Sequence, residues 1–245
     1  MNLTIDIGNT FIKTLVFNDT VPVYRNVSET LTSGHINRLL RNFPIKYSIL
    51  SSVVVLKKPI LSNLKKLPHL EKFSASTSIP VKNLYETPAT LGKDRLANAI
   101  AGAFLFPRNN VLIIDAGTCI KYDFINSRNE YLGGSISPGS EMRFKAMHYF
   151  TEKLPLVKEF EGRELTGRST VKALQTGVMI GICEEMMGFI QRYKKKYKSL
   201  KIILTGGDAY RFAGELNLSI FAAEDLVNIG LNEIIRFNVA KRYQK

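Results

Sequence analysis

The sequence predicts an α/β protein made of two copies of one unit, each a mixed β-sheet flanked by helices. Three observations carry that prediction. The stretch Leu3-Thr4-Ile5-Asp6-Ile7-Gly8-Asn9-Thr10-Phe11-Ile12-Lys13 recurs, with one residue deleted after the glycine, as Leu112-Ile113-Ile114-Asp115-Ala116-Gly117-Thr118-Cys119-Ile120-Lys121. The two copies stand near the starts of two parts of similar size, which implies duplicated architecture. Apolar β-branched runs then alternate with segments of helical spacing. The boundary falls after residue 107, giving domains 1–107 and 108–245.

Each copy opens as strand, tight turn and antiparallel strand, because an apolar run reaches Asp-x-Gly and a Thr before a second alternating run begins. The second runs are Phe11 to Phe17 and Cys119 to Ile125. Such a turn gathers backbone N–H groups that suit a phosphate, and the carboxylate just before it suits a metal ion or its waters. Two of them could clamp a polyphosphate. A plain hairpin is the bland alternative for either copy alone.

After the first hairpin, Val21 to Val27 extends the sheet, and Ser28 or Thr30 is the expected cap of a helix that turns Leu31, Ile36, Leu39 and Leu40 inward. Lys46 to Val55 reads as a buried central strand, and Pro59 opens a short helix with Ile60, Leu61 and Leu64. Tyr85 to Leu91 is loop-like. Gly92-Lys93-Asp94-Arg95 then leads into Leu96, Ile100, Ala103 and Phe104 at helical spacing, and Pro107 stops the helix. Asp94 at a helix start is favourable as a cap alone. It is also a candidate proton acceptor for a hydroxyl, with Gly92 allowing close approach and Arg95 binding an anion.

In the second half, Glu130 to Leu132 runs into the constrained turn Gly133-Gly134-Ser135-Ile136-Ser137-Pro138-Gly139, and a helix from Ser140 turns Met142 and Met147 inward. Lys158 to Ser169, including Glu161-Gly162-Arg163, is linker-like. From Val171 a helix of about 25 residues carries Leu174, Val178, Ile182, Met186, Phe189 and Ile190 on one face, widened by Met179 and Met187. Lys201 to Leu204 is a strand ending in Thr205-Gly206-Gly207-Asp208. The last helix runs from Asp225 to about Val239.

Composition narrows the class. The chain has 245 residues, 45% of them hydrophobic, enough for one large or two small cores. Met1 leads straight into a strand, with no charged segment or cleavage site, and no uninterrupted apolar run approaches the roughly 20 residues of a membrane span. Two cysteines make no disulfide framework, and three scattered histidines have no metal-ligand spacing. A cytoplasmic location without membrane attachment is expected. The net charge of +13 suits an enzyme of anionic substrates as well as nucleic-acid binding. Nucleic acid is disfavoured, because the Lys194-Lys195-Lys196 run falls at a helix end and no stacking aromatics alternate with it.

Asp6-x-Gly8-Asn9-Thr10, Gly92-x-Asp94-Arg95, Asp115-x-Gly117-Thr118, Gly133-Gly134-x-Ile136-x-Pro138-Gly139 and Thr205-Gly206-Gly207-Asp208, in that order, resemble the type III pantothenate kinases. Each motif alone is weak, and five in order over essentially the whole chain are specific. The resemblance implies duplicated actin-like (ribonuclease H-like) domains. It implies ATP-dependent phosphorylation of pantothenate to 4′-phosphopantothenate, with Mg²⁺ and a monovalent cation (K⁺ or NH₄⁺), in a homodimer.

Residue by residue, Asp6, Ile7, Gly8, Asn9, Thr10, Phe11, Ile12 and Lys13 would form the ATP phosphate loop, with Asp6 near Mg²⁺. Gly117 and Thr118 would contact ATP. Asp94 would accept the pantothenate hydroxyl proton. Tyr85, Gly92, Lys93, Arg95 and Thr170 would line the pantothenate site, and Asp115 would hold the monovalent cation. Cys119 stands where the family commonly has Ala, Lys93 where it often has a small residue, and Val55 where a Pro is frequent. The competing expectations are another small-molecule kinase of the same superfamily and a DNA-binding transcriptional regulator related to this family.

Overall fold

The chain begins with β1 (Asn2–Ile7) and β2 (Ile12–Asn18), paired antiparallel from Asn2↔Phe17 to Ile7↔Ile12. The structure, a computed structural model, describes residues 1–56, 58–158, 164–216 and 221–243. The linker-like Glu161-Gly162-Arg163 lies outside them. β3 (Val21–Ser28) adds antiparallel to β2, while β4 (Tyr47–Ser52) lies parallel to β1 and β5 (Leu70–Lys72) parallel to β4. The resulting sheet has the order β3-β2-β1-β4-β5.

Helix α1 (Ser33–Asn42) follows β3, α2 (Lys58–Leu64) follows β4, and α3 (Lys93–Leu105) follows the two-residue strand β6 (Lys82–Asn83). Leu3, Ile5 and Ile7 of β1 share one core with Leu31, Ile36 and Leu39. α1 is capped by Thr32, whose hydroxyl accepts from the His35 N–H at 3.2 Å, rather than by Ser28 or Thr30. Ser28 is still in β3. Leu31 and Ile36 flank the cap inside the same core, the arrangement of a hydrophobic staple.

The second part repeats the plan. β7 (Asn110–Ala116), β8 (Cys119–Ile125) and β9 (Glu130–Pro138) follow in sequence, with helices α4 (Ser140–Tyr149) and α5 (Thr170–Lys196) after them. Then come β10 (Leu200–Thr205), parallel to β7, the short helix α6 (Ala209–Ala213) and β11 (Phe221–Ala222), parallel to β10. The sheet order is β11-β10-β7-β8-β9-β6. Read from β9 to β11, its strands repeat the order of the other sheet, with β7 to β11 in the places of β1 to β5. Phe144 of α4 and Leu174, Val178, Ile182, Met186 and Ile190 of α5 form this core with Leu112, Ile114 and Tyr122. Met142 is exposed, and Phe144 takes the inward place expected for it.

By packing, the first unit is Met1–Arg108, Ile125–Leu132 and Asp225–Lys245, and the second is Asn109–Phe124 and Gly133–Glu224. The first unit therefore includes two segments from beyond residue 108. The segment 125–132 carries Glu130 and Tyr131, which pair with Lys82 and Asn83 of β6. The last helix, α7 (Leu226–Tyr243), packs on α3 and β1. Gly230 is the reason α7 lies so close, because a Cβ there would overlap the Ala97 carbonyl oxygen.

Val53, Val54 and Val55 were expected in the central strand but lie beyond it, exposed. The last ladder bond runs from the Val53 N–H to the Ile7 carbonyl at 3.1 Å, where β1 ends. Among the described helices α5 alone has the length and apolarity of a membrane span. Its Leu174-to-Ile190 face is taken up by the core, and Glu184-Glu185 interrupts the apolar run.

Candidate active site

The residues singled out from the sequence fall in three groups, the Asp6 turn and the start of α3 in the first unit and the Gly117 turn in the second, with Thr170 at the start of α5. In the first unit, Asp6 lies one residue before the end of β1, opposite Lys13 on β2 and Ser51 on β4. A carboxylate at the C-terminal end of a strand flanked on both sides is where open α/β sheets receive ligands. Ile7 and Ile12, both 3% exposed, root the turn in the core. The Gly8 N–H closes it on the Phe11 carbonyl at 3.0 Å, leaving Asn9, Thr10 and Phe11 exposed as its rim. The Lys13 ammonium reaches Asp225 at 3.8 Å, and the same carboxylate accepts from Arg25 at 2.7 Å.

Gly92, Asp94, Arg95 and Tyr85 come together at the start of α3. Gly92 is the N-cap and contributes no side-chain bond. Its missing side chain matters, since a Cβ would stand 2.7 Å from Asp94 Oδ1 and 3.5 Å from Arg95 Cγ. Arg95 is 5% exposed, with its guanidinium 5.6 Å from the centre of the Tyr85 ring. Tyr85 lies 6.2 Å, centre to centre, from Tyr131. A half-buried carboxylate and a buried cation thus share one helix N-terminus, where the dipole favours anions. Lys93 points elsewhere, donating to the Leu91 carbonyl at 3.2 Å.

In the second unit, two loops close on one turn. The Gly117 N–H donates to the Cys119 carbonyl at 3.1 Å, and the Gly139 N–H donates to the Thr118 carbonyl at 3.1 Å. A Cβ on Gly139 would collide with the Gly117 carbonyl oxygen, so only glycine lets this loop lie flat on the turn. From the other side, the Asp208 N–H donates to the Ala116 carbonyl at 2.9 Å. Gly206, at φ +98°, abuts that same carbonyl and places its backbone against Asp115 Oδ1. Asp115 Oδ2 accepts from the Lys121 ammonium at 2.8 Å, with both side chains largely buried. The two glycine-rich motifs therefore belong to one assembly, which their separation in the chain conceals.

Thr170 is the exposed first residue of α5, next to the cap Ser169, whose hydroxyl accepts from the Lys172 N–H at 3.3 Å. The sequence pattern gave no hint of a polar cluster further along α5. Tyr122 is fully buried and donates to Glu185 Oε1 at 2.7 Å, while Arg143 donates to Glu185 Oε2 at 2.5 Å and to the Ser137 hydroxyl at 2.9 Å. Burial raises the Tyr122 phenol far above its ordinary range, with Glu185 adding to the shift. Burial pushes Glu185 upward too, but bonds from Ser137, Tyr122 and Arg143 outweigh it and hold the carboxyl below its ordinary range. This cluster ties α5 to α4 and β8.

Comparison with known proteins bears on the family and the fold. The sequence model of the type III pantothenate kinase family matches residues 2–192. A type III pantothenate kinase of Phocaeicola vulgatus is 44% identical over 241 residues, covering 97% of this chain and 99% of its own. Among solved structures, a Campylobacter jejuni protein described provisionally as a Baf family transcriptional activator gives a TM-score of 0.63 at 21% identity, covering 97% of this chain and 99% of its own. An inorganic polyphosphate/ATP-glucomannokinase from Arthrobacter gives 0.51 at 14% identity, covering 96% of this chain and 98% of its own. Identities this low speak to fold alone, and the fold is that of the actin-like ATPases and sugar kinases.

Proposed function

We propose how these groups share the work of a type III pantothenate kinase, the family to which this chain belongs. The enzyme transfers a phosphoryl group from ATP to pantothenate and so opens the route to coenzyme A. The division of roles is our inference. Asp6 and the turn from Gly8 to Lys13 bind the ATP phosphates, Gly117 and Thr118 contact the nucleotide, and Tyr85, Gly92, Arg95 and Thr170 receive pantothenate. Asp94 takes the proton of the attacking hydroxyl. Lys93 belongs to the pantothenate site by sequence position, with its amine turned back to Leu91.

The observation that carries this division is the Asp94 carboxylate curled over Gly92 beside the Arg95–Tyr85 pair. A loose phosphoryl-transfer transition state needs alignment and charge more than covalent chemistry. A carboxylate at a helix start, with a bare backbone before it, gives a primary hydroxyl room to approach and a base to face. Among the described residues no group of three or more acidic, His or Cys side chains could hold a metal alone. Mg²⁺ bound with a nucleotide needs only one or two carboxylates besides phosphate oxygens and waters, so Asp6 fits it. The ion would offset phosphate charge there. The test is coupled ATP consumption: it should require pantothenate and ignore hexoses, and Asp94→Asn should remove it while nucleotide binding persists. Hexose turnover would point to a sugar kinase instead.

The working form is a cytoplasmic homodimer. Tyr149 and Phe150 are each 80% exposed at the end of α4, and Met142 and Val171 are exposed as well, an apolar surface of the kind that marks interfaces. A potassium or ammonium ion at Asp115 would have to share that carboxylate with Lys121.

A further inference from the structure

We propose that the Lys121 ammonium is a built-in monovalent cation, so that this enzyme works without added K⁺ or NH₄⁺. The proposal rests on the kinase reading and on one piece of geometry. Lys121 Nζ lies 2.8 Å from Asp115 Oδ2, at the carboxylate to which the family resemblance assigns the ion. Asp115 and Lys121 keep only 13% and 22% of their side-chain surface, so the pair is largely withdrawn from water. Gly206 lies beside the second oxygen, Oδ1, to which a Cβ there would come within 2.6 Å. A free cation entering here would meet a carboxylate already neutralised and a like charge beside it. The residues therefore do not fit a separate ion.

The substitution is chemically equivalent. K⁺ and NH₄⁺ are interchangeable where oxygen atoms bind a single positive charge at hydrogen-bonding distance, and a lysine ammonium is NH₄⁺ on a tether. Tethering makes occupancy independent of salt, and a partly buried pair is little screened. The register of the hairpin makes it possible. Lys121 occupies the place of Lys13 in the first copy, where the residue directly across the turn is the repeated aspartate, Asp6. In the second copy the ammonium meets the repeated aspartate itself, at 2.8 Å from Asp115.

Two readouts test this. Turnover is measured in tetramethylammonium salts, with KCl or NH₄Cl exchanged in at constant ionic strength. The wild-type curve should be flat, whereas Lys121→Met should lose on the order of 10²-fold, the size of one preorganised charge contact, and recover with K⁺ or NH₄⁺. Separately, thermal unfolding in the same salts should be indifferent to K⁺ in the wild type and show saturable stabilisation by K⁺ in Lys121→Met. Saturable, K⁺-specific activation or stabilisation of the wild type overturns the proposal, whether or not any variant folds. Lys121→Gln serves if Lys121→Met does not fold. Absence of pantothenate-dependent turnover in every salt would instead count against the kinase reading, and the unfolding titration would still decide the cation.

Discussion

Helix α5 contains Gly177, Gly181 and Gly188, and a Cβ on any of them would meet nothing within 4 Å. Glycine inside a helix is less favourable than alanine by about 1 kcal/mol, so three of them without an internal packing reason are a standing loss. A symmetry-related helix lying close against that face would supply the reason. The triple variant Gly177→Ala/Gly181→Ala/Gly188→Ala separates two outcomes of opposite sign. If the face is open in solution, the substitutions should stabilise by about 3 kcal/mol and raise Tm by roughly 6–12 °C in a chain of this size. If it is the dimer contact, each methyl overpacks it at a cost of about 1–3 kcal/mol and enters twice by two-fold symmetry. We expect the second: sedimentation velocity should show monomers, and pantothenate phosphorylation should fall with dimer content. A dimer of full activity with a raised Tm would refute the reasoning, as would a fully active wild-type monomer.

Other expectations concern single carboxylates. Asp94→Asn should fold normally and lose about 10²–10⁴-fold in turnover, the usual range for general-base assistance, with ATP binding kept in equilibrium dialysis. Near-wild-type turnover would remove Asp94 from that role. Asp6→Ala should weaken Mg²⁺-ATP binding and turnover together, and an unchanged Mg²⁺ titration would leave Asp6 a turn residue only. Glu185→Gln should cost about 1–3 kcal/mol in urea unfolding at neutral pH, because Tyr122 and Arg143 lose a charged acceptor. The folded carboxyl is lowered below the ordinary 4.5, so its contribution is present above that pH and fades as pH falls through the folded value. A wild-type-minus-variant difference that stays constant into strong acid would contradict this account.

The repeated hairpin was legible because its signal is local: β-branched runs, an Asp-x-Gly and a fixed register suffice to draw β1–β2 and β7–β8. Helices with wide apolar stripes were legible for the same reason. What escaped were elements of two or three residues, such as β6 and β11, whose existence depends on a partner strand far away in the chain. Met142 and Phe144 show the limit of face assignment, since a two-residue shift decides which is buried. At the site, Gly92, Asp94 and Arg95 could be grouped from sequence because they are neighbours. The Gly139 and Gly206 loops could not be joined to the Gly117 turn, because their contacts are backbone collisions avoided, which leave no pattern beyond the glycines themselves. Glu185 carried no signal at all, lying on a helix face otherwise read as apolar.

Duplication by itself poses an electrostatic problem for an enzyme of polyanions. Two such turns would each offer backbone N–H groups to phosphate and each set a carboxylate, Asp6 or Asp115, just beside them. At the first turn that charge is useful if a divalent metal accompanies the nucleotide. At the second it would oppose phosphate unless something cancels it. The side chain best placed to do so is the one the repeat already provides across the hairpin, and Lys121 lies 2.8 Å from Asp115, as the proposal requires. In the first copy the matching Lys13 is engaged by Asp225, at the entry to the helix that returns to the first unit. If Lys121 neutralises Asp115 as proposed, the second hairpin is a neutral donor turn, beside a first hairpin whose Asp6 is proposed for Mg²⁺.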